Sequence, residues 1–422
     1  MIGNRAFAKH LLITLGIGLL VGSGKPMDSS ASNHLDTAAV IQNPQANIGD
    51  MYAWIAQDGR HLNLVMDIVG SSFSDKLSYV FHVDSGPGFG QTTATTTIVC
   101  RFPETKVADC SVGNVDSVRG DASSPAGIVG RNHHFRVFAG LRDDPFFNNV
   151  KGTGAAYKVA FAALKNGATK DAAGCPMFDQ ATAQAILYQW RHTDGGPATN
   201  FLARWTTSAL VISVDLDAVD RGGKTLAVWS VTQTSAHQFD RFGRPLSKNA
   251  LLGLTDADGV DDQLKDAWNQ ATTATAASFV ADLEKSLAFY DSFDGVCGNQ
   301  FLAASTADPA TRYHPLATLL ADDRLWINAT SNQCTQFFAV ELANLAGQTA
   351  LRGDCGGRTL TYSAANAWRS ILIKGTVTGI DDGLGQDEHS PSTEFPFLAP
   401  PDAQAINHAI NHVVPQSGQY KE

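Results

Sequence analysis

Three acidic segments hold residue types that could bind a cation or move a proton. "LRDDPFF" sets Arg142, Asp143 and Asp144 side by side ahead of Pro145. Paired carboxylates can hold a hard cation such as calcium or divide acid and base roles. They can also end a strand, because aspartate bonds nearby backbone N–H groups and proline forces the residue before it into extended backbone. On that reading the segment is mainly a strand terminus, and Arg142 pairs with one of the aspartates. "TDADGVDD" offers Asp256, Asp258, Asp261 and Asp262. An EF-hand loop needs glycine at position six and glutamate at position twelve. Counted from Asp256, Gly259 falls at position four and Ala267 at position twelve, so the motif fails. The acidic residues instead suit the first turn of the helix that follows. "GIDDGLGQDEHS" places Asp381, Asp382, Asp387, Glu388 and His389 among glycines that would let the chain wrap an ion. The expected ligand contacts are Arg142, Asp143 and Asp144. The expected metal set is Asp143, Asp144, Asp381 and Asp382, with calcium as the ion.

The remaining chemistry is sparse. His133 and His134 are adjacent and would face opposite sides of a strand. His408 and His412 share a helical spacing but sit in a terminal tail. HExxH, GxSxG, Walker and GxGxxG patterns are absent from the sequence. Six cysteines occur, Cys100, Cys110, Cys175, Cys297, Cys334 and Cys355. They form no Cys-x-x-Cys pair, which argues against zinc. Six cysteines allow 15 pairings. Short spacings across turn-rich stretches favour Cys100–Cys110 and Cys334–Cys355, leaving Cys175 with Cys297. Seven tryptophans are spread along the chain, and most are expected to be core.

The elements that must position these residues read mostly as strands. In "GDMYAWIAQDGRHLNLVMDIVG", two strands flank a Gln-Asp-Gly turn, and Leu62, Leu64 and Met66 alternate with Asn63, Val65 and Asp67. "LSYVFHVDSG", "QTTATTTIVCRF", "HHFRVFAGL", "SALVISVDLDAV" and "TLAVWSVTQTSA" continue the β pattern. Both faces of His134 to Leu141 carry an aromatic ring, so that strand should be interior. "AAYKVAFAALKNGA", "QATAQAILYQW" and the stretch 261–290 have helical composition. The fold class is therefore a β-rich α+β protein, with an antiparallel β-sandwich-like core and helical insertions. A composition shift near 239–254 divides the chain into a β-rich half over 33–240 and a second half over 241–401, followed by a tail over 402–422.

The chain has 422 residues and a net charge of -10, with no basic cluster, which argues against a nucleic-acid partner. Arg5 and Lys9 precede the apolar run "LLITLGIGLLVG" and then small polar residues. That pattern is a secretory signal peptide over 1–24, too short for a membrane span, with cleavage expected between Gly22 and Ser32. No transmembrane span is expected after cleavage.

The stretches "HLDTAAVIQNPQANIGDMYAWIAQDG", "FRVFAGLRDDPFF", "GRPLSKNALLG", "LLADDRLWIN" and the closing "GRTLTYSAANAW", "DDGLG" and "FPFLAPP" occur in this order. Together they resemble the exported bacterial proteins of domain-of-unknown-function family 4331 (DUF4331). The resemblance spans nearly all of His34 to Pro401 and implies one family-length unit. It implies no chemistry, because that family is defined without one. The usual opening resembles Ser-His; here "SNHLDTA" interposes Asn33. The expected function is binding in the periplasm or outside the cell, of a carbohydrate, a small molecule or an envelope protein. The alternatives are a metal-dependent hydrolase built on converging acidic loops and a structural envelope component.

Overall fold

A computed structural model describes residues 37–256 and 260–401. The expected signal segment, His34, Asp258 with Gly259, and the tail bearing His408 and His412 lie outside the described residues. The principal strands are β1 (Ile48–Ile55), β2 (His61–Ile68), β3 (Ser78–Gly86), β4 (Ala94–Glu104), β5 (Val107–Val112), β6 (Asp116–Asp121), β7 (Ile128–Val129), β8 (Phe135–Asp143), β9 (Thr206–Asp215), β10 (Thr225–Gln233), β11 (Gln238–Phe242) and β12 (Leu325–Asn328). They form two antiparallel sheets. One has five strands in the order β1-β2-β9-β8-β7; the other has seven in the order β11-β10-β3-β4-β5-β6, with β12 also paired to β10. The fold is thus the expected β-rich α+β class. The strand expected near "LSYVFHVDSG" is β3, and "HHFRVFAGL" extends two residues further than expected, to Asp143.

Period-two alternation decides which face of each strand is buried. Leu62, Leu64 and Met66 of β2, Phe135, Val137 and Ala139 of β8, and Leu210, Ile212 and Val214 of β9 point inward. They share one apolar core with Tyr79, Phe81 and Val83 of β3 and Leu226 and Val228 of β10. The outer face of the five-stranded sheet is covered as well. Tyr52, Val65, Phe138 and Val211 lie there beneath Phe397 and Leu398 of the closing segment. That strap explains why β8 is apolar on both faces. It is anchored by the Asp143 N–H, which donates to the Ala399 carbonyl at 3.1 Å.

Helices fill the rest. Val150–Lys165 is capped by Asn149, whose side chain accepts from Gly152 N–H at 3.0 Å. Gln180–Trp190 is capped by Asp179, which accepts from Thr182 N–H at 2.8 Å. The helix expected over 261–290 is two helices, Val260–Gln270 and Val280–Asp291. Thr275 interrupts it: its hydroxyl oxygen accepts from Thr272 N–H at 3.0 Å, offering the backbone a non-helical partner. Asp261 and Asp262 occupy the first turn of the earlier helix, as expected. Strand β11 runs across residue 240, and β12 adds to the same sheet, so both halves of the chain contribute to it. The three disulfides are Cys100–Cys110, Cys175–Cys297 and Cys334–Cys355, the expected set. Cys100 faces Cys110 directly across β4 and β5. Among the described residues, no helix is long and apolar enough to cross a membrane.

Candidate functional site

Strand register builds a cleft at one end of the five-stranded sheet. Trp54 pairs with Asn63, Asn63 with Ser213, and Ser213 with Arg136. The four side chains therefore form one row across β1, β2, β9 and β8 on the outer face. The next row toward the sheet end holds His61 and its partner Asp215. Asp215 N–H in turn donates to the His134 carbonyl at 2.9 Å. These two rows are the floor of a cleft of about 480 Å3, walled by Thr359 and Thr361 on one side and by Pro391 to Thr393 and Phe395 of the strap on the other. That volume lies within the range of small-molecule sites.

The second row is an imidazole–carboxylate chain. Asp58 Oδ2 lies 2.6 Å from His61 Nδ1, and Asp215 lies 3.1 Å from His61 Nε2 and 2.9 Å from His134 Nδ1. Burial works to raise the Asp58 carboxyl, but hydrogen bonds from Arg60 N–H and His61 outweigh it and hold it below its ordinary value. The turn that presents His133 and His134 is held by Asp116, which accepts from Asn132 N–H and His134 N–H, each at 2.9 Å. Here too burial is outweighed, and those bonds depress the Asp116 carboxyl. Beside the strap, a Cβ on Gly127 would stand 2.5 Å from the Val137 carbonyl oxygen and 2.9 Å from the Phe395 ring, and its φ is +64°. Only glycine allows Phe395 to reach that wall.

Asn63 is the least ordinary residue of the floor. It is 2% exposed, and its side-chain oxygen has no hydrogen-bond partner among the described residues. A buried amide oxygen left unbonded costs about 1–3 kcal/mol, so such groups normally have a partner. No family model, curated protein or solved structure matches this chain. The cleft's chemistry must therefore be read from its own side chains.

The residues expected to form a metal site separate into different environments. Asp144 turns inward: it accepts from Tyr52 Oη at 3.3 Å and from Phe146 N–H at 3.0 Å, which makes the turn before Pro145. Asp381 is exposed and pairs with Arg191 at 3.1 Å. Asp382 is buried against Arg369 at 3.0 Å and accepts from Asn149 N–H at 3.0 Å. Arg142 does not turn to the aspartates: its guanidinium lies over the Phe138 ring at 4.2 Å and donates to the Leu141 carbonyl. The four carboxylates therefore do not converge. The acidic loop does reach Asp143, through other residues. Asp143, Asp387 and His389 place three donor atoms within 4.8 Å of one another, and among the described residues they are the group that does so. His389 Nδ1 lies 3.3 Å from Asp143, and Asn200 Nδ2 donates to Asp387 at 3.1 Å and to Glu388 at 3.0 Å. Burial, hydrogen bonding to Glu388 and the neighbouring Asp143 together push the Asp387 carboxyl up to about 8. Two oxygens and a nitrogen could serve a divalent cation. Asp387 and His389 are brought together by a bend, in which the His389 N–H donates to Asp387 at 3.2 Å.

Proposed function

We propose that this is an extracytoplasmic binding protein that holds a small ligand in the cleft between Trp54, Arg136 and the strap. The buried, unpartnered Asn63 oxygen on the cleft floor carries this reading: a ligand donor would satisfy it. Three disulfides support an oxidising compartment. The ordered resemblance to DUF4331 supports an exported location in the envelope or outside the cell. The test is thermal denaturation of the exported protein against a panel of sugars, amino acids, nucleosides and organic acids. Stabilising compounds should lose their effect in Ser213→Phe, which fills the floor. Equal stabilisation of both proteins would overturn the reading.

A second reading, a metal-dependent hydrolase, is favoured by the Asp143–Asp387–His389 group. Isothermal titration with calcium and with manganese tests it. A hydrolase would show saturable binding that Asp387→Asn removes; no heat with either ion dismisses it.

A further inference from the structure

We infer that the cleft takes a neutral sugar unit, seated against Trp54 with its hydroxyls directed at Asn63, Ser213 and Asp215. This rests on the cleft being the ligand site. Its floor demands two things from an occupant. Asn63 lines the cleft and is 2% exposed, and its Oδ1 accepts no hydrogen bond among the described residues, so a ligand group that reaches this oxygen has to be an O–H or N–H donor. Trp54 lies beside Asn63 in the same row, so the ligand must also show an apolar face within one strand spacing of that donor. Strands lie roughly 4.8 Å apart, about the width of a sugar ring. A pyranose meets both demands, having a C–H face and hydroxyls around its edge.

The other chemistries fit less well. An apolar ligand would leave Asn63 unbonded and would desolvate Asp215, and both effects oppose binding. A phosphate would face the Asp58 and Asp215 carboxylates. A bare ammonium would face Arg136 on the floor. The Arg136 guanidinium stands with the Asp58 and Asp215 carboxylates in the lining, and His61 and His134 hydrogen-bond to those carboxylates, so the cleft carries fixed charge of both signs. That mixture suits a neutral molecule with many hydroxyls. Asp215 accepts from such hydroxyls while Ser213 and Arg136 donate to them. Nearby Thr359, Thr361 and Thr393 can do either.

Saturation-transfer NMR and isothermal titration on the full mature protein test this, with glucose, galactose, mannose, N-acetylglucosamine, cellobiose and maltose as probes. Glutamate, choline and inorganic phosphate serve as counter-probes. At least one sugar should bind in the millimolar range or tighter. Its C–H protons should receive saturation, and Trp54→Ala and Asn63→Leu should each weaken it at least about tenfold. Circular dichroism identifies any variant that fails to fold, and Ser213→Ala then replaces it. If a counter-probe binds and the same variants abolish that binding, the cleft is the ligand site and the sugar assignment is wrong. If no probe binds, the sugar assignment is likewise wrong. If a sugar binds but all folded cleft variants retain full affinity, the cleft is not the ligand site and both readings fall.

Discussion

Replacing Arg358 with methionine should destabilise the fold by about 3–5 kcal/mol, the usual consequence of stranding a buried charge. Arg358 is 1% exposed, and its partner Asp50 is fully buried. The guanidinium donates to the Asp50 carboxylate and to the Met51 carbonyl at 3.0 Å, and it lies 4.0 Å over the Tyr52 ring and 5.4 Å from that of Phe146. Asp67 and Asp144 share this interior. Methionine keeps much of the apolar contact but leaves Asp50 without its cation. The backbone of Arg358 also exchanges hydrogen bonds with Ala53 at 2.8 and 3.0 Å, which brings Thr359 and Thr361 to the cleft wall. Urea unfolding at neutral pH would measure the loss. Asp50→Asn in the Arg358→Met background should recover at least about 1.5 kcal/mol, since contacting charges couple at about 0.5–3 kcal/mol. A loss below about 1 kcal/mol in Arg358→Met, or strictly additive losses in the double variant, would refute the buried-pair account.

Burial, reinforced by Asp144 and Asp50, raises the Asp67 carboxyl well above its ordinary value, which favours its neutral form. Asp67→Asn should therefore change unfolding free energy by less than about 1 kcal/mol; a loss above about 3 kcal/mol would mean an ionised, partnered carboxylate. Asp387 is raised to about 8 from 3.8. A raised folded value means its stabilisation is full below the unfolded value, declines as pH rises, and is gone above the folded one. Melting temperature should accordingly fall between pH 4 and 8 by more in the native protein than in Asp387→Asn, and superimposable profiles would contradict this. Gly127→Ala should cost about 1–3 kcal/mol through its positive φ and the Val137 carbonyl. Gly88→Ala, where a Cβ meets open space, should stay within about 0.5 kcal/mol by the same urea assay.

Local patterns in the sequence identify the strands well, because Leu62, Leu64 and Met66 or Leu210, Ile212 and Val214 advertise a buried face by themselves. The two-sided burial of β8 was legible too, although not its cause: Phe397 and Leu398 arrive from more than 250 residues away. The break between Val260–Gln270 and Val280–Asp291 was hidden by alanine-rich composition, which the threonine hydroxyls overrode. Of the acidic loops, 379–390 reaches Asp143, but through Asp387 and His389 and not through the expected Asp381 and Asp382. Side-chain direction decided which residues arrived. Asp381 and Asp382 found arginines, whereas Asp387 and His389 faced the aspartate. The cleft was the least visible feature. Asn63, Ser213 and Arg136 each stand out as polar positions in apolar strands, but only the pairing of β2 with β9 and of β9 with β8 makes them neighbours.

The most direct test is a crystal structure of the protein grown with whichever probe binds in solution. Density for one ligand is expected on the cleft floor between Trp54 and Arg136, with a donor atom within hydrogen-bonding distance of Asn63 Oδ1. Ligand density elsewhere on the protein, with the cleft holding only water, would contradict that expectation.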